Sequence, residues 1–252
     1  MKSLFSVSKC LIIFLFPISN IFGQVNWSID CSNDACEYSF KSDFTDISTA
    51  KSQGWEFTDQ DDAEVSRYIL VAPDEDAEEY YINNKDVSGR ITSIALPVAD
   101  NEDFQLSAYV DWWHGIENTG FGLIYGWKDW DNYVELSITA NGFYQVSIIS
   151  KGLQFGMSDW TETDNVDTKS LVQLNIVRQG SNMIFAINKR IVFTKQVSAL
   201  KLGNECGFYV GGKQSVLFDD FKMVKTVNNT SSSPRSNNTD GKQLDKKFIP
   251  KL

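Results

Sequence analysis

Eight short segments in which apolar and polar residues tend to alternate constrain this chain more than any other feature. They read EVSRYILV, GRITSIAL, FQLSAYVDWW, YVELSIT, FYQVSII, LVQLNIV, MIFAIN and SVLFDDFKMV, with Gly, Asn, Asp or Ser in the stretches between them. A period of two sends successive side chains to opposite faces of a strand, and helical spacing is hard to find elsewhere in the chain. Many short strands punctuated by turn residues predict an all-β fold, a two-sheet antiparallel sandwich of the jelly-roll kind. On the longest segment Phe104, Leu106, Ala108, Val110 and Trp112 share the face assigned to the core. Gln105, Ser107, Tyr109, Asp111 and Trp113 share the other.

The same reasoning sets a register in YVELSITANGFYQVSII. A two-residue Asn141-Gly142 loop would put Ile138 opposite Gln145 and set apolar against polar side chains along the ladder. A three-residue Ala140-Asn141-Gly142 loop aligns Val134 with Ile148, Leu136 with Val146 and Ile138 with Tyr144, leaving Glu135, Ser137, Gln145 and Ser147 on the other face. Such loops use a left-handed residue, which Gly142 supplies without a Cβ clash. One strand earlier, Tyr125 and Trp127 alternate with Gly126, so both are expected on the core face with Phe121 and Leu123. In VRQGSNMIFAINKRIVF, turns at Gly180-Ser181 and at Asn188 to Arg190 predict a three-strand meander. Gly211-Gly212 are expected to turn a last hairpin, and Asp219-Asp220 interrupt its apolar run, as a structural acid at a strand bulge or as calcium ligands.

The two ends read differently. Residues 1–23 carry Lys2 and Lys9 before an apolar run from Cys10 to Phe22, the pattern of a signal peptide, too short to span a bilayer comfortably. Residues 24–225 are expected to form one β-sandwich domain, roughly 200 residues being enough for a full core. Residues 226–252 form a polar stretch with sequons at Asn228, Asn229 and Asn237, read as a flexible tail. The expected location is secreted, periplasmic or cell-surface. A formal net charge of -10, with nearly all the acidic excess between Asp30 and Asp131, argues against nucleic acid as a partner. Acidic runs such as DQDDAE and PDEDAEE read as solvated, turn-like segments. Cys31 and Cys36 lie close enough to close a small disulfide loop in an oxidising compartment, which leaves Cys206 either a buried thiol or the true partner of one of them. No CxxC pair supports structural zinc or redox chemistry.

GFGLIYGWKDWDNYVELSITANGFYQV, MIFAINKRIVF and GFYVGGKQSVLFDDFKMV together resemble the concanavalin A-like lectin/glucanase superfamily, in particular the LamG-like and DUF1080-like jelly-roll domains of secreted bacterial proteins. The likeness covers most of residues 38 to 225. It implies a two-sheet jelly roll whose concave face or loop rim binds glycans in many members, in some with calcium at the edge. The glucanase members carry a Glu-x-Asp-x-x-Glu strand, which this chain lacks. Retaining hydrolysis needs two carboxyls about 5 Å apart, and Glu135 has no acidic partner at strand spacing.

No catalytic residue is assigned. His114 is the sole histidine and reads as a polar loop residue, since no nucleophile-elbow context surrounds it. Asp129 and Asp131 stand at alternating positions that suggest calcium, but an EF-hand loop would need Gly at Val134 and Glu at Ala140. A β-turn stabilised by Asp and Asn side chains is preferred. Trp130 lies in that turn, where no strand face can bury it, while Tyr133 and Trp113 fall on polar faces. A ring beside carboxylates and amides suits a sugar, which stacks its C–H face on the ring and bonds its hydroxyls to the polar groups. The expected glycan site is Trp113, Trp130, Asp131, Asn132, Tyr133 and Glu135. The functional expectation is a non-catalytic domain that binds carbohydrate or another extracellular surface polymer. A structural or protein-interaction module bound to a secreted protein is the alternative, and a glycan hydrolase comes third. No cofactor is required, calcium at Asp129 and Asp131 being the one ion left open.

Overall fold

A computed structural model describes residues 36–57, 65–71, 78–99, 102–167, 170–197 and 199–226. The segment read as a signal peptide, Cys31 and its disulfide, the sequons and the residues after Thr226 lie outside these. The described chain runs β1 (Cys36–Ser42), α1 (Ile47–Ser52), β2 (Val65–Val71), β3 (Glu78–Asn84), β4 (Arg90–Ala95), β5 (Phe104–Gly115), β6 (Phe121–Asp129), β7 (Asn132–Ile138) and β8 (Phe143–Ser150). It continues β9 (Leu153–Met157), β10 (Thr161–Glu162), β11 (Val172–Gln179), β12 (Asn182–Ile187), β13 (Arg190–Gln196), β14 (Glu205–Val210) and β15 (Gln214–Thr226). The fold is all-β, a jelly-roll sandwich of two antiparallel sheets. One sheet has the order β13-β12-β11-β5-β15-β3-β2 with β1 also on β15, and the other β10-β8-β7-β6-β14-β4 with β9 also on β8. Among the described residues no helix is long and apolar enough to cross a membrane.

Alternation translates directly into the core. Phe104, Leu106, Ala108 and Val110 of β5 are buried, and Trp112 packs against them at the margin. Opposite them, Phe121, Leu123 and Tyr125 of β6 and Val134, Leu136 and Ile138 of β7 complete the interior. The β7–β8 register is Val134 to Ile148, Leu136 to Val146 and Ile138 to Tyr144, as the faces demanded, and Gly142 takes a φ of +92°. The meander β11-β12-β13 also forms, with its second turn confined to Asn188 and Lys189 because Arg190 already pairs with Ile187.

Three expectations are corrected. Gly211-Gly212 do not turn a hairpin: β14 and β15 belong to different sheets, so these glycines carry the chain across the sandwich. That crossing is clamped to the β5–β6 crossing, where the Gly211 N–H donates to the Gly120 carbonyl over 2.8 Å and Gln214 Nε2 donates to the carbonyls of Gly120 and Gly211. Glu78 and Glu79, read as part of a turn-like acidic run, instead open β3. Trp127 leaves the core face, for the reason given below.

Asp219-Asp220 form the bulge that was one of their two readings. Pairing with β5 slips between Asp219 and Lys222, and Asp220 has a φ of +49°. An extra residue reverses the alternation, so Val216 and Phe218 before the bulge and Phe221 and Met223 after it all face inward. Beyond the strands, α1 is capped by the Asp46 carboxylate, which accepts from the Thr49 N–H over 2.7 Å. Just past α1, Trp55 is driven into the core between Phe44, Tyr80, Phe208 and Phe221 at centroid distances of 5.1 to 5.3 Å.

Candidate functional site

The outer face of the seven-stranded sheet is where the strand pattern concentrates polar chemistry. Pairing aligns Ser147 of β8, Glu135 of β7, Ile124 of β6, Gly207 of β14 and Ser93 of β4 in one row across the sheet. The neighbouring row on one side holds Gln145, Ser137, Gly122, Tyr209 and Ile91. On the other side stand Ile149 and Tyr133, then Trp127 and Glu205. These rows contain two carboxyls, two tyrosines, three serines, one glutamine, and neither Lys nor Arg.

Trp127 reaches this face through a bulge. Cys206 pairs with Tyr125, but the next β14 residue, Glu205, pairs with Trp127, so Gly126 is the extra residue on β6. Its φ is +65°, and a Cβ there would lie 2.7 Å from Cβ of Leu202. Alternation restarts after the bulge with opposite parity. Tyr125 therefore stacks on Phe104 in the core, whereas Trp127 meets Trp130 and Tyr133 outside it.

The three outer rings form one cluster. Trp127 and Trp130 meet edge to face with centroids 4.8 Å apart, and Trp130 and Tyr133 do so at 6.0 Å. Trp130 sits at the tip of the two-residue β6–β7 turn and is 55% exposed. Asp129 holds that turn: one carboxylate oxygen accepts from the Asp131 N–H and from Asn132 Nδ2, over 3.0 and 2.7 Å. Asn132 is buried, and its own oxygen accepts from the Lys151 N–H over 2.8 Å. Asn132 is thus a tie between the β6–β7 turn and the β8–β9 turn, with both ends of its amide engaged, rather than a group facing a ligand. Asp131 is exposed beside Trp130, and its carbonyl accepts from Gly152. Among the described residues no group of three or more His, Cys, Asp or Glu is arranged to hold a metal ion.

Glu135 has the unusual environment on this face. It is 9% exposed, and its recorded hydrogen bond comes from Ser137 Oγ. Burial pushes its carboxyl up to about 7, against the opposing effect of the Ser137 bond. Burial also raises the hydroxyls of Tyr133 and Tyr209, the latter to about 12, and the nearby Glu135 charge adds to both. Three titratable groups therefore share one poorly hydrated patch.

Trp113 does not join this site. It lies on β5 of the other sheet, beside the β5–β6 crossing, while Trp130 lies at the far end of β6. Trp113 is the unpaired residue of a bulge, since Ser215 pairs with His114 and Val216 with Trp112, and it is 59% exposed. His114 beside it is exposed and lies on the strand rather than in the loop. Cys206 is a buried free thiol that burial pushes up to about 12. The structure thus brings together Trp130, Asp131, Tyr133 and Glu135, separates Trp113, and spends Asn132 on the turn. It adds Trp127, for which Gly126 inside a strand was the available signal. It also adds Tyr209 and Glu205, which only long-range pairing could place there.

No family model matches the chain, and no curated protein matches it in sequence. Among solved structures it is similar to a protein of unknown function from Shewanella oneidensis MR-1, with a TM-score of 0.54 and 10% identity over 77% of this chain and 88% of that one. It is also similar to a protein of unknown function with a galectin-like fold from Bacillus subtilis, with a TM-score of 0.52 and 12% identity over 77% of this chain and 97% of that one. A carbohydrate-binding module, CBM66 from Bacillus subtilis, follows with a TM-score of 0.48 and 15% identity over 68% of this chain and 95% of that one. The first two likenesses establish the fold alone, and a galectin-like fold agrees with the concanavalin A-like expectation.

Proposed function

We propose that this protein is a secreted, non-catalytic domain that binds carbohydrate through the outer face of its seven-stranded sheet. The observation that carries this reading is the Trp127, Trp130 and Tyr133 cluster, with Trp130 more than half exposed, at the margin of rows that hold Glu135, Ser137, Gln145 and Ser147. A sugar ring presents an apolar C–H face and a rim of hydroxyls, and this patch offers one partner to each. Trp130 supplies the stacking surface, and Asp131 and Glu135 supply acceptors on either side of the rings.

The test is binding of the full chain to a broad glycan and polysaccharide panel, in calcium and again in EDTA, beside Trp130→Ala. Binding that is lost in the variant supports the reading, and loss in EDTA would add Asp129 and Asp131 as a calcium-holding turn. Shortening of a bound polymer would replace the lectin reading with a hydrolase. A protein-interaction module is the second reading, favoured by Trp113 and Ile116, which are 59% and 41% exposed at the opposite end of the sandwich. Failure to bind any saccharide, together with co-elution of a secreted protein that Trp113→Ala abolishes, would establish it instead.

A further inference from the structure

Resting on the carbohydrate reading, we propose that this face selects saccharides that carry a protonated amine, with Glu135 as the residue that recognises the ammonium group. Three observations converge on a cation. First, Glu135 is a buried carboxyl with no cationic partner among the described residues, and its hydrogen bond from Ser137 satisfies one oxygen only in part. A carboxyl so placed gains most from a ligand that brings the missing positive charge. Second, its described neighbours across the sheet do not oppose that charge. From β8 it faces Ser147 and Gln145, from β6 Ile124, and from β14 Tyr209 and Glu205, so the only other formal charge in the rows is a second carboxylate. Third, the faces of Trp127, Trp130 and Tyr133 carry negative quadrupole density and attract cations as well as C–H groups.

The same arrangement discriminates. An ammonium gains a charge-assisted bond to Glu135, an acetylated amine offers a single neutral N–H, and a uronate brings a further carboxylate to rows that already hold Glu135 and Glu205 and neither Lys nor Arg. Binding of an ammonium also releases the proton that burial keeps on Glu135 near neutral pH.

The experiment is titration calorimetry of the full chain with glucosamine, N-acetylglucosamine and galacturonic acid oligomers of equal length, at pH 5.5, where the sugar amines are already protonated and Glu135 still holds its proton, in two buffers of different ionisation enthalpy. The free-amine oligomer should bind roughly tenfold or more tighter than the acetylated one, the scale of a hydrogen bond to a charged group, and should release protons on binding. Glu135→Gln, checked for an unchanged circular dichroism spectrum, should bring the free-amine oligomer down to the affinity of the acetylated one and abolish the proton release. Equal affinities in the unmutated protein, or a preference for the amine that survives in Glu135→Gln, would overturn the ammonium inference and leave the carbohydrate reading standing. Binding of no saccharide of any class would remove both.

Discussion

Two clusters of aromatic rings lie on opposite sides of the same sheet, built from the same kinds of residue, and they differ in what surrounds them. In the inner cluster Trp55 touches Phe44, Tyr80, Phe208 and Phe221 and is 3% exposed. In the outer cluster Trp130 touches Trp127 and Tyr133 and leaves more than half of its surface to solvent. Ring-to-ring distances are alike, so pairwise contact does not separate the clusters. The difference is the area withdrawn from water, which makes the inner rings a source of stability and leaves the outer rings with surface still to bury against something else.

The comparison can be broken most forcefully at Trp55. Trp55→Ala should cost about 3–5 kcal/mol, the scale of a large aromatic removed from a packed core, seen as a large fall in the urea midpoint. A loss below about 1 kcal/mol would place that ring outside the load of the core. Glu135 comes next. Its folded carboxyl titrates near 7, above the 4.5 it would have in the unfolded chain, so between these values the folded state holds a proton that the unfolded state has lost. Stability therefore falls as pH rises through that window, by about 3 kcal/mol in all, and is level above it. Urea titrations from pH 4.5 to 8 should show that slope, and Glu135→Gln should flatten it and be the more stable protein at pH 8.

Trp130→Ala sharpens the comparison from the other side. Its loss should cost no more than about 0.5–1.5 kcal/mol, that of an aromatic pair at the surface, while binding to any saccharide that the parent recognises disappears. Trp113→Ala should have the smallest effect of the four. It lies on the other sheet, so glycan affinity measured by calorimetry should not move, and a change would join two regions that the fold holds apart.

What the sequence made legible is what local alternation controls. The β7–β8 register followed from matching Val134, Leu136 and Ile138 to their partners, because a slip of one residue would have inverted both faces. Trp130 was legible for a related reason, since a turn tip between two aspartates has no face to hide in. Trp127 was not, because alternation carries across Gly126 only if no residue bulges, and whether one bulges depends on how β14 lies alongside. Trp113 was placed with Trp130 for want of any local signal of which sheet a strand joins. Burial of Glu135 belongs to the same class: its own strand marks it as outward-facing, and only the neighbours on β6, β8 and β14 decide how little water reaches it. Trp55 lies outside any alternating run, so nothing in its neighbourhood announced a core residue.

The last strand has a consequence for the order in which the molecule can be made. Residues 214–226 pair along one edge with β5 and along the other with β3 and then β1, so among the described residues they are the strand that joins β1, β2 and β3 to the rest of their sheet. A chain emerging N-terminus first can close the β6–β7–β8 ladder early, from neighbours in sequence. It must hold its first three strands unpaired to that sheet until nearly everything through Thr226 has appeared. Assembly of this sandwich is therefore a late, long-range event, and the interval before it is when the open strand edges are most vulnerable to pairing with another copy.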